Sequence, residues 1–333
     1  VSGYLGGYFA ASGGTSLPSP DLTLTSPSLF QVFQRSGTTG TITVTGSVTN
    51  GPWDIFALYG NSPATTIGLG ISGAFSGSLT GRPQGQTTFT LQMQKAGVLL
   101  QARDVQWVGI GDVFVIGGQS NAVGHANNLQ TYSNPQGIKA GLYDRNTNSW
   151  KELVDPTDPL FNGGSVWPIM ATSYLASQGI PCAFIPCAVT NTSSANWQPG
   201  QSTYTSMTAR VTSANCGGTR AFLFWQGETD ATNSVSQATY HANISAIAAQ
   251  IAIDLGAKMI NCKIQNCSGI PIGQQTPINA AIGAGWTDIS NMAAGPDLSD
   301  LLTDDGLHLE IDSKVQTAGA RWWSAVKAVY GWA

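Results

Sequence analysis

The stretch VFVIGGQSNAVGHA, residues 113–126, decides how this chain is read. Four apolar residues run straight into Gly-Gly-Gln-Ser-Asn, as a strand buried on both faces does when it ends in a tight turn. Gly117 and Gly118 permit a sharp strand-to-helix turn, which exposes the hydroxyl of Ser120 and aims backbone N–H groups at a developing oxyanion. Taken alone, Gly-Gly-x-Ser-Asn also fits an ordinary helix N-cap. Its surroundings decide between the two.

From about residue 108 onward the chain alternates strand, loop and helix. Short apolar runs occur at DVFVIG, CAFIPCAV, AFLFWQG and KMINCKI. Helical segments lie between them: residues 168–178 with Gly179 just beyond, 234–255 with Tyr240, Ile244, Ile247 and Ile251 in one stripe, and a last helix from Asp312 or Ser313. This alternation predicts a parallel sheet with helices on both faces, and ligands in such sheets bind at the carboxyl ends of the strands. Before residue 108 the period is two. TITVTGSVT puts Ile42, Val44 and Val48 on one face, and FTLQMQ does the same with Phe89, Leu91 and Met93. The fold class is thus α/β with a parallel sheet, preceded by a small antiparallel, sandwich-like β domain. Three units are expected: an extended arm or linker over 1–29, a β-rich accessory domain over 30–108, and an α/β domain over 109–333.

Only 10% of the 333 residues are charged, against about 25% in ordinary domains. Gly, Ser, Thr, Asn and Gln supply the polarity instead. Such a surface suits neutral, hydroxyl-rich partners such as glycans, and equally an extracellular or virion-associated setting. A net charge of −4 provides no basic stripe, so nucleic acid is not an expected partner. No apolar run approaches the roughly 20 residues of a membrane-spanning helix. The first residues lack a signal-peptide pattern, and a start at Val1 is compatible with a removed leader or upstream domain. Five cysteines leave at least one thiol unpaired, and none has CxxC spacing, so zinc is not expected; serine chemistry at Ser120 calls for no metal or cofactor.

Polar residues follow the apolar runs at GGQSN (117–121), TNTSSANW (190–197) and WQGETD (225–230), and TDDGLHLE (303–310) precedes the last helix. Together they offer the parts of a serine hydrolase. Ser120 needs a base to accept its proton, and the chain has three histidines. His308 follows Asp305 by three residues, close enough for the carboxylate to fix its tautomer. His125 has no such partner and His241 lies off a helix's apolar stripe, so both read as solvated or structural. The order Ser, Asp, His also fits an α/β-hydrolase. That fold, however, needs several strand–helix units before its nucleophile, and draws its acid and base from separate loops.

At these residues the sequence resembles the SGNH (GDSL-type) hydrolase superfamily, and within it the sialate O-acetylesterase-like carbohydrate acetylesterases. GDVFVIGGQSNAVG from Gly111, WQGETD and DGLH match its three blocks in order. The resemblance implies a three-layer α/β/α flavodoxin-like domain with Ser120 as nucleophile, His308 as base and Asp305 as its partner. It implies an oxyanion hole from the N–H groups of Ser120 and of Asn191 and the side-chain amide of Gln226. Gly118, Gln119, Asn121 and Glu228 would support the site, Glu228 as a buried hydrogen-bonding group. One departure stands out: Asn191 occupies the position of the family's oxyanion glycine. Asparagine tolerates left-handed backbone angles better than other non-glycine residues.

The implied activity is removal of O-acetyl groups from a carbohydrate through an acyl-serine. Trp197, Trp225 and Trp167 are candidates for stacking on a sugar, or for the core. Two other readings fit the sequence: a glycan-binding surface or phage-tail receptor-binding protein with a weak or inactive hydrolase domain, and a lipase- or thioesterase-type enzyme of the same fold. By analogy with trimeric virion proteins, an arm joined to a polar β domain is compatible with a trimer.

Overall fold

The alternating residues before position 108 do form strands. A computed structural model describes residues 21–134 and 136–332. Its first part holds β1 (Leu22–Ser26), β2 (Val32–Ser36), β3 (Thr39–Val48), β4 (Trp53–Tyr59), β5 (Thr65–Ile71), β6 (Ala74–Pro83) and β7 (Gly85–Lys95). Pairing is mostly antiparallel: β1 and β6 flank β3, and β5 and β7 flank β4. Ile42, Val44, Val48, Phe89, Leu91 and Met93 are buried and share one hydrophobic cluster with Leu22 and Phe33. Of the expected arm, residues 1–20 lie outside the described residues. Its remainder is corrected: Leu22 is buried and Leu22–Ser26 pairs with β3, so the segment is strand rather than linker.

β8 (Val98–Gly118) carries the chain out of this region and into the next. It pairs antiparallel with β7 as far as Ile110, and parallel with β2 from Gly109 to Gly111. It then becomes a parallel strand of the second region. The change of character read at residue 108 therefore falls inside one strand, where the partners change and the backbone continues.

The second region adds α1 (Ser120–Val123), β9 (Gly141–Tyr143), β10 (Trp150–Glu152), α2 (Trp167–Gln178), β11 (Cys182–Pro186), α3 (Ser202–Ala214) and β12 (Ala221–Trp225). There follow α4 (Glu228–Thr232), α5 (Gln237–Asp254), β13 (Lys258–Lys263), α6 (Ile272–Asp288), β14 (Met292–Asp297) and α7 (Asp312–Tyr330). β11, β8, β12, β13 and β14 lie side by side and parallel. β9 extends the β11 edge in parallel, and β10 closes that edge antiparallel to β9.

Successive side chains of a strand point to opposite faces, and the core divides accordingly. Val113, Val115, Phe222 and Phe224 pack with Met207, Ile244, Ile247 and Ile278 from α3, α5 and α6. Phe114, Ile116 and Leu223 pack with Met170, Leu175, Trp322 and Val326 from α2 and α7. From β8 the chain builds β9, β10 and β11 on one side, then crosses to β12 on the other. The crevice at such a switch point opens at the carboxyl ends of the strands, where Ser120 stands. All five cysteines are buried and unpaired.

Candidate active site

The end of β8 accepts only glycine. A Cβ on Gly117 would lie 2.2 Å from the Phe222 ring, and one on Gly118 would lie 1.9 Å from the Trp225 carbonyl oxygen. Gly118 also has φ 121, a conformation that side chains disfavour. The turn is pinned by the Gln119 N–H donating to Trp225 O (3.0 Å) and the Val189 N–H donating to Gly118 O (2.9 Å). Ser120 opens α1, and the first N–H groups of a helix have no intrahelical acceptor.

The loop before α7 brings its own histidine to this serine. Asp305 Oδ1 accepts the backbone N–H groups of Leu307 (2.8 Å) and His308 (2.7 Å), which folds the loop around the carboxylate. Asp305 Oδ2 lies 2.7 Å from His308 Nδ1, and His308 Nε2 lies 2.9 Å from Ser120 Oγ. Carboxylate, imidazole and hydroxyl thus form one hydrogen-bonded chain. Burial works to raise the Asp305 pKa, but the His308 bond and the two N–H donors prevail and hold it at about 2. The carboxylate is therefore ionised at neutral pH.

Amides bolt the loops together. Asn121 Nδ2 donates to Glu228 Oε1 (2.8 Å) and Leu307 O (3.1 Å), and its Oδ1 accepts from Leu309 N (3.2 Å), fixing α1 to the His308 loop. Gln265, not read as a site residue from the sequence, repeats the pattern: its Nε2 donates to Glu228 Oε1 and to Leu307 O, each at 2.9 Å. Glu228 is buried, and its other oxygen meets no partner. Burial pushes its pKa up, opposed by the Gln265 and Asn121 bonds. Asp230 accepts from the Ser194 N–H and hydroxyl, tying the loop after β11 to α4.

Two expectations are corrected here. Gln226 is fully buried, and its Nε2 already faces Gln119 Oε1 (2.8 Å), Thr192 O (2.5 Å) and Asp230 Oδ2 (3.2 Å). Flipping the amide would set its oxygen against three other oxygens, so this orientation is fixed. Two hydrogens facing three acceptors leave nothing for an oxyanion, and Gln226 ties the three loops together instead. The tryptophans are core rather than sugar platforms. Trp197 packs edge-on against Phe224, while Trp225 and Trp167 both pack on Trp322, all three with exposure of 1% or less. Asn191, by contrast, takes up the left-handed conformation it was expected to tolerate, with φ 58.

The residue that the sequence reading set aside lies in the site. His125 stacks on His308, with ring centroids 3.8 Å apart and planes 11° apart, and Phe161 stacks on His125 at 3.7 Å and 13°. Burial, then the nearness of His308, lowers the His125 pKa to about 4, with Asp305 pulling the other way. Nothing in the local sequence marks it, because its partners come from positions 161 and 308. His241 pairs with Asp288 at 2.9 Å, far along the chain from these loops. Among the described residues no three His, Cys, Asp or Glu side chains are grouped to hold a metal ion, and no helix is long and apolar enough to cross a membrane.

Residues 110–326 match the family described as carbohydrate esterase, sialic acid-specific acetylesterase. The chain belongs to that family. No curated protein sequence matches it. Among solved structures, a carbohydrate acetylesterase from Xanthomonas citri superposes with a TM-score of 0.60 at 16% identity, covering 94% of this chain and 76% of that one. An Arabidopsis thaliana protein superposes with a TM-score of 0.55 at 21% identity, covering 65% of this chain and 98% of that one. At such identities the likeness is one of fold. In this carbohydrate esterase, that fold sets Ser120, Asn191, Gln226 and His308 around the carboxyl ends of β8, β11 and β12.

Proposed function

We propose that the protein is a serine esterase that removes O-acetyl groups from a carbohydrate through an acyl-enzyme intermediate. We also read the second region as the three-layer α/β/α form of the SGNH hydrolases, with the β-rich residues 30–108 as an accessory part. The observation that carries the proposal is the chain of hydrogen bonds from Asp305 through His308 to Ser120, at 2.7 and 2.9 Å, in a member of this esterase family.

In this mechanism Ser120 Oγ attacks the acetyl carbonyl carbon while His308 Nε2 takes the hydroxyl proton. Asp305 stabilises the resulting imidazolium without accepting a proton. The oxyanion meets the N–H of Ser120 at the open N-terminus of α1, and the N–H of Asn191, whose left-handed turn takes the place of the family's glycine. The C–O bond to the sugar then breaks, and His308 returns its proton to the departing hydroxyl. Water repeats the cycle on the acyl-serine: His308 takes its proton, and acetate leaves as Ser120 is reprotonated. Phe161, stacked behind His125, and Leu307, the residue before His308, are 42% and 39% exposed and offer apolar surface near the site.

The test is hydrolysis of p-nitrophenyl acetate and acetate release from acetylated glycans, by wild type and Ser120→Ala. The wild type should be active and Ser120→Ala should lose about three to four orders of magnitude. Equal rates would remove Ser120 from the chemistry. A wild type that neither hydrolyses these esters nor reacts with a fluorophosphonate would favour a glycan-binding role with an inert serine.

A further inference from the structure

Two hydrogen bonds hold the His308 ring, one at each nitrogen. Both lie in the ring's own plane and define an axis through it, so neither bears directly on the ring's face. The Asp305 end of that axis is a side chain 38% exposed to solvent. One face of the ring is covered by His125 at 3.8 Å, backed by Phe161 at 3.7 Å, and this stack opposes tilt towards that side.

The three rings come from three loops, and the backbone fastens those loops to one another. Ala126 and Gly164 exchange N–H···O bonds of 3.0 and 2.9 Å, which joins the His125 segment to the loop carrying Phe161. Asn127 N–H donates to Glu310 O at 2.9 Å, which joins the same segment to the loop carrying His308. Gly124, with φ 115, lets the chain leave α1 at the angle this requires, since a Cβ there would come within 2.7 Å of Gly164 O. A further bond from Trp167 Nε1 to Ala122 O, 2.8 Å, anchors the other side of the segment.

We infer that His125 is a positioning residue for His308: clamped between Phe161 and His308, it fixes the tilt of the imidazole that joins Ser120 to Asp305. The inference rests on the proposed role of His308 as the base. His125 Nε2 is buried and has no partner among the described residues, so the ring is not held there for a hydrogen bond at that atom. Its use is its flat face. The charged groups that meet it are His308 and Asp305, and its lowered pKa keeps it neutral when His308 takes up the serine proton. A neutral π face against an imidazolium is favourable. Two stacked cations would repel.

The test compares wild type, Ser120→Ala, His125→Leu, His125→Phe and Phe161→Leu on p-nitrophenyl acetate, with thermal melting of each. Leucine fills the space without a flat face, and His125→Leu should lower kcat about 10- to 100-fold with KM within about twofold, as small misplacements of reacting groups do. His125→Phe restores a flat face and should keep kcat within about fivefold of wild type. Phe161→Leu removes the backing ring and should lower kcat about 3- to 10-fold, which keeps the idea testable if His125→Leu does not fold. Wild-type kcat in both leucine variants would overturn the inference. So would a His125→Phe enzyme as slow as His125→Leu with a native melting transition. Failure of the esterase reading is a different result: Ser120→Ala would match wild type.

Discussion

The two ends of the parallel run of β8 are built on opposite principles. At the amino side stands Asp112, fully buried, with every acceptor position used. Arg35 reaches it at 2.8 Å, Arg220 at 2.6 Å, the Tyr174 hydroxyl at 2.6 Å and Gln34 at 3.2 Å. Burial would raise the Asp112 pKa, but these cations and donors hold it below the usual carboxylate range. At the carboxyl side, eight positions later in the sequence, the network around Ser120 is made largely of neutral amides: Gln119, Asn121, Gln226 and Gln265. Glu228 Oε2 and His125 Nε2 are left there without partners. Saturated polar groups mark a region kept for stability, while unsatisfied ones mark a region where another requirement has overridden it.

That contrast can be broken most decisively at Asp305. Replacing it with Asn preserves Oδ1 for the Leu307 and His308 N–H groups but loses the charge that orients His308. The expected outcome is a fall in kcat of about 10⁴-fold per folded molecule, with the melting temperature lowered only by the loss of the ionised carboxylate's hydrogen bonds. A loss under tenfold would deny the carboxyl end its purely catalytic character. The counterpart is Asp112→Ala, which strands two partly buried guanidinium groups. It should cost about 3–5 kcal/mol, read from the urea midpoint, while kcat per folded molecule holds. A change below about 1 kcal/mol would show that the amino end is not the anchor.

Acid sharpens the comparison further. The folded-state pKa of His125 lies near 4 against 6.5 unfolded, so the unfolded chain binds a proton that the folded one refuses. Stability should therefore fall as pH drops from about 6.5 to about 4 and level off below that, by on the order of 2 kcal/mol. His125→Phe should flatten that window in a pH series of melting curves. Asp305 contributes in a lower one: its depressed pKa favours the fold above about 4, and that share is lost as pH falls towards 2. The smallest effect is expected at Glu228. Glu228→Gln retains the oxygen that accepts from Asn121 and Gln265, so denaturant midpoints should shift by less than about 1 kcal/mol. Glu228→Ala, which takes one acceptor from each of the Asn121 and Gln265 amides while their bonds to Leu307 O remain, should cost about 1–3 kcal/mol.

The three blocks around Ser120, Gln226 and His308 were legible because each is a contiguous segment whose spacing carries its own chemistry. The layering was legible for the same reason: runs such as CAFIPCAV and AFLFWQG have the length of strands covered on both faces, and Cys182–Pro186 and Ala221–Trp225 form them. What escaped depended on distant partners or weak periodicity. In α3, only Tyr204, Met207 and Ala214 are buried among threonines and serines, which leaves no stripe to read. In α6, Pro277 and several glycines interrupt the pattern. Gln226 was given a catalytic amide because its sequence block suggests one, and the acceptors that occupy it lie at 119, 192 and 230. His125 was set aside because stacking leaves no mark in spacing. Trp197 reads as a platform in sequence, but Phe222 and Phe224, which pack on it, come from β12.

The continuity of β8 has a practical corollary for anyone shortening this protein. A cut just before Gly109 would sever a strand rather than a tether. It would strip β2 from its flank and withdraw Arg35 and Gln34, leaving the Asp112 carboxylate to Arg220 and Tyr174 alone. The esterase half inherits its footing from the segment that precedes it, so the smallest useful fragment extends well upstream of the nucleophile's own sheet.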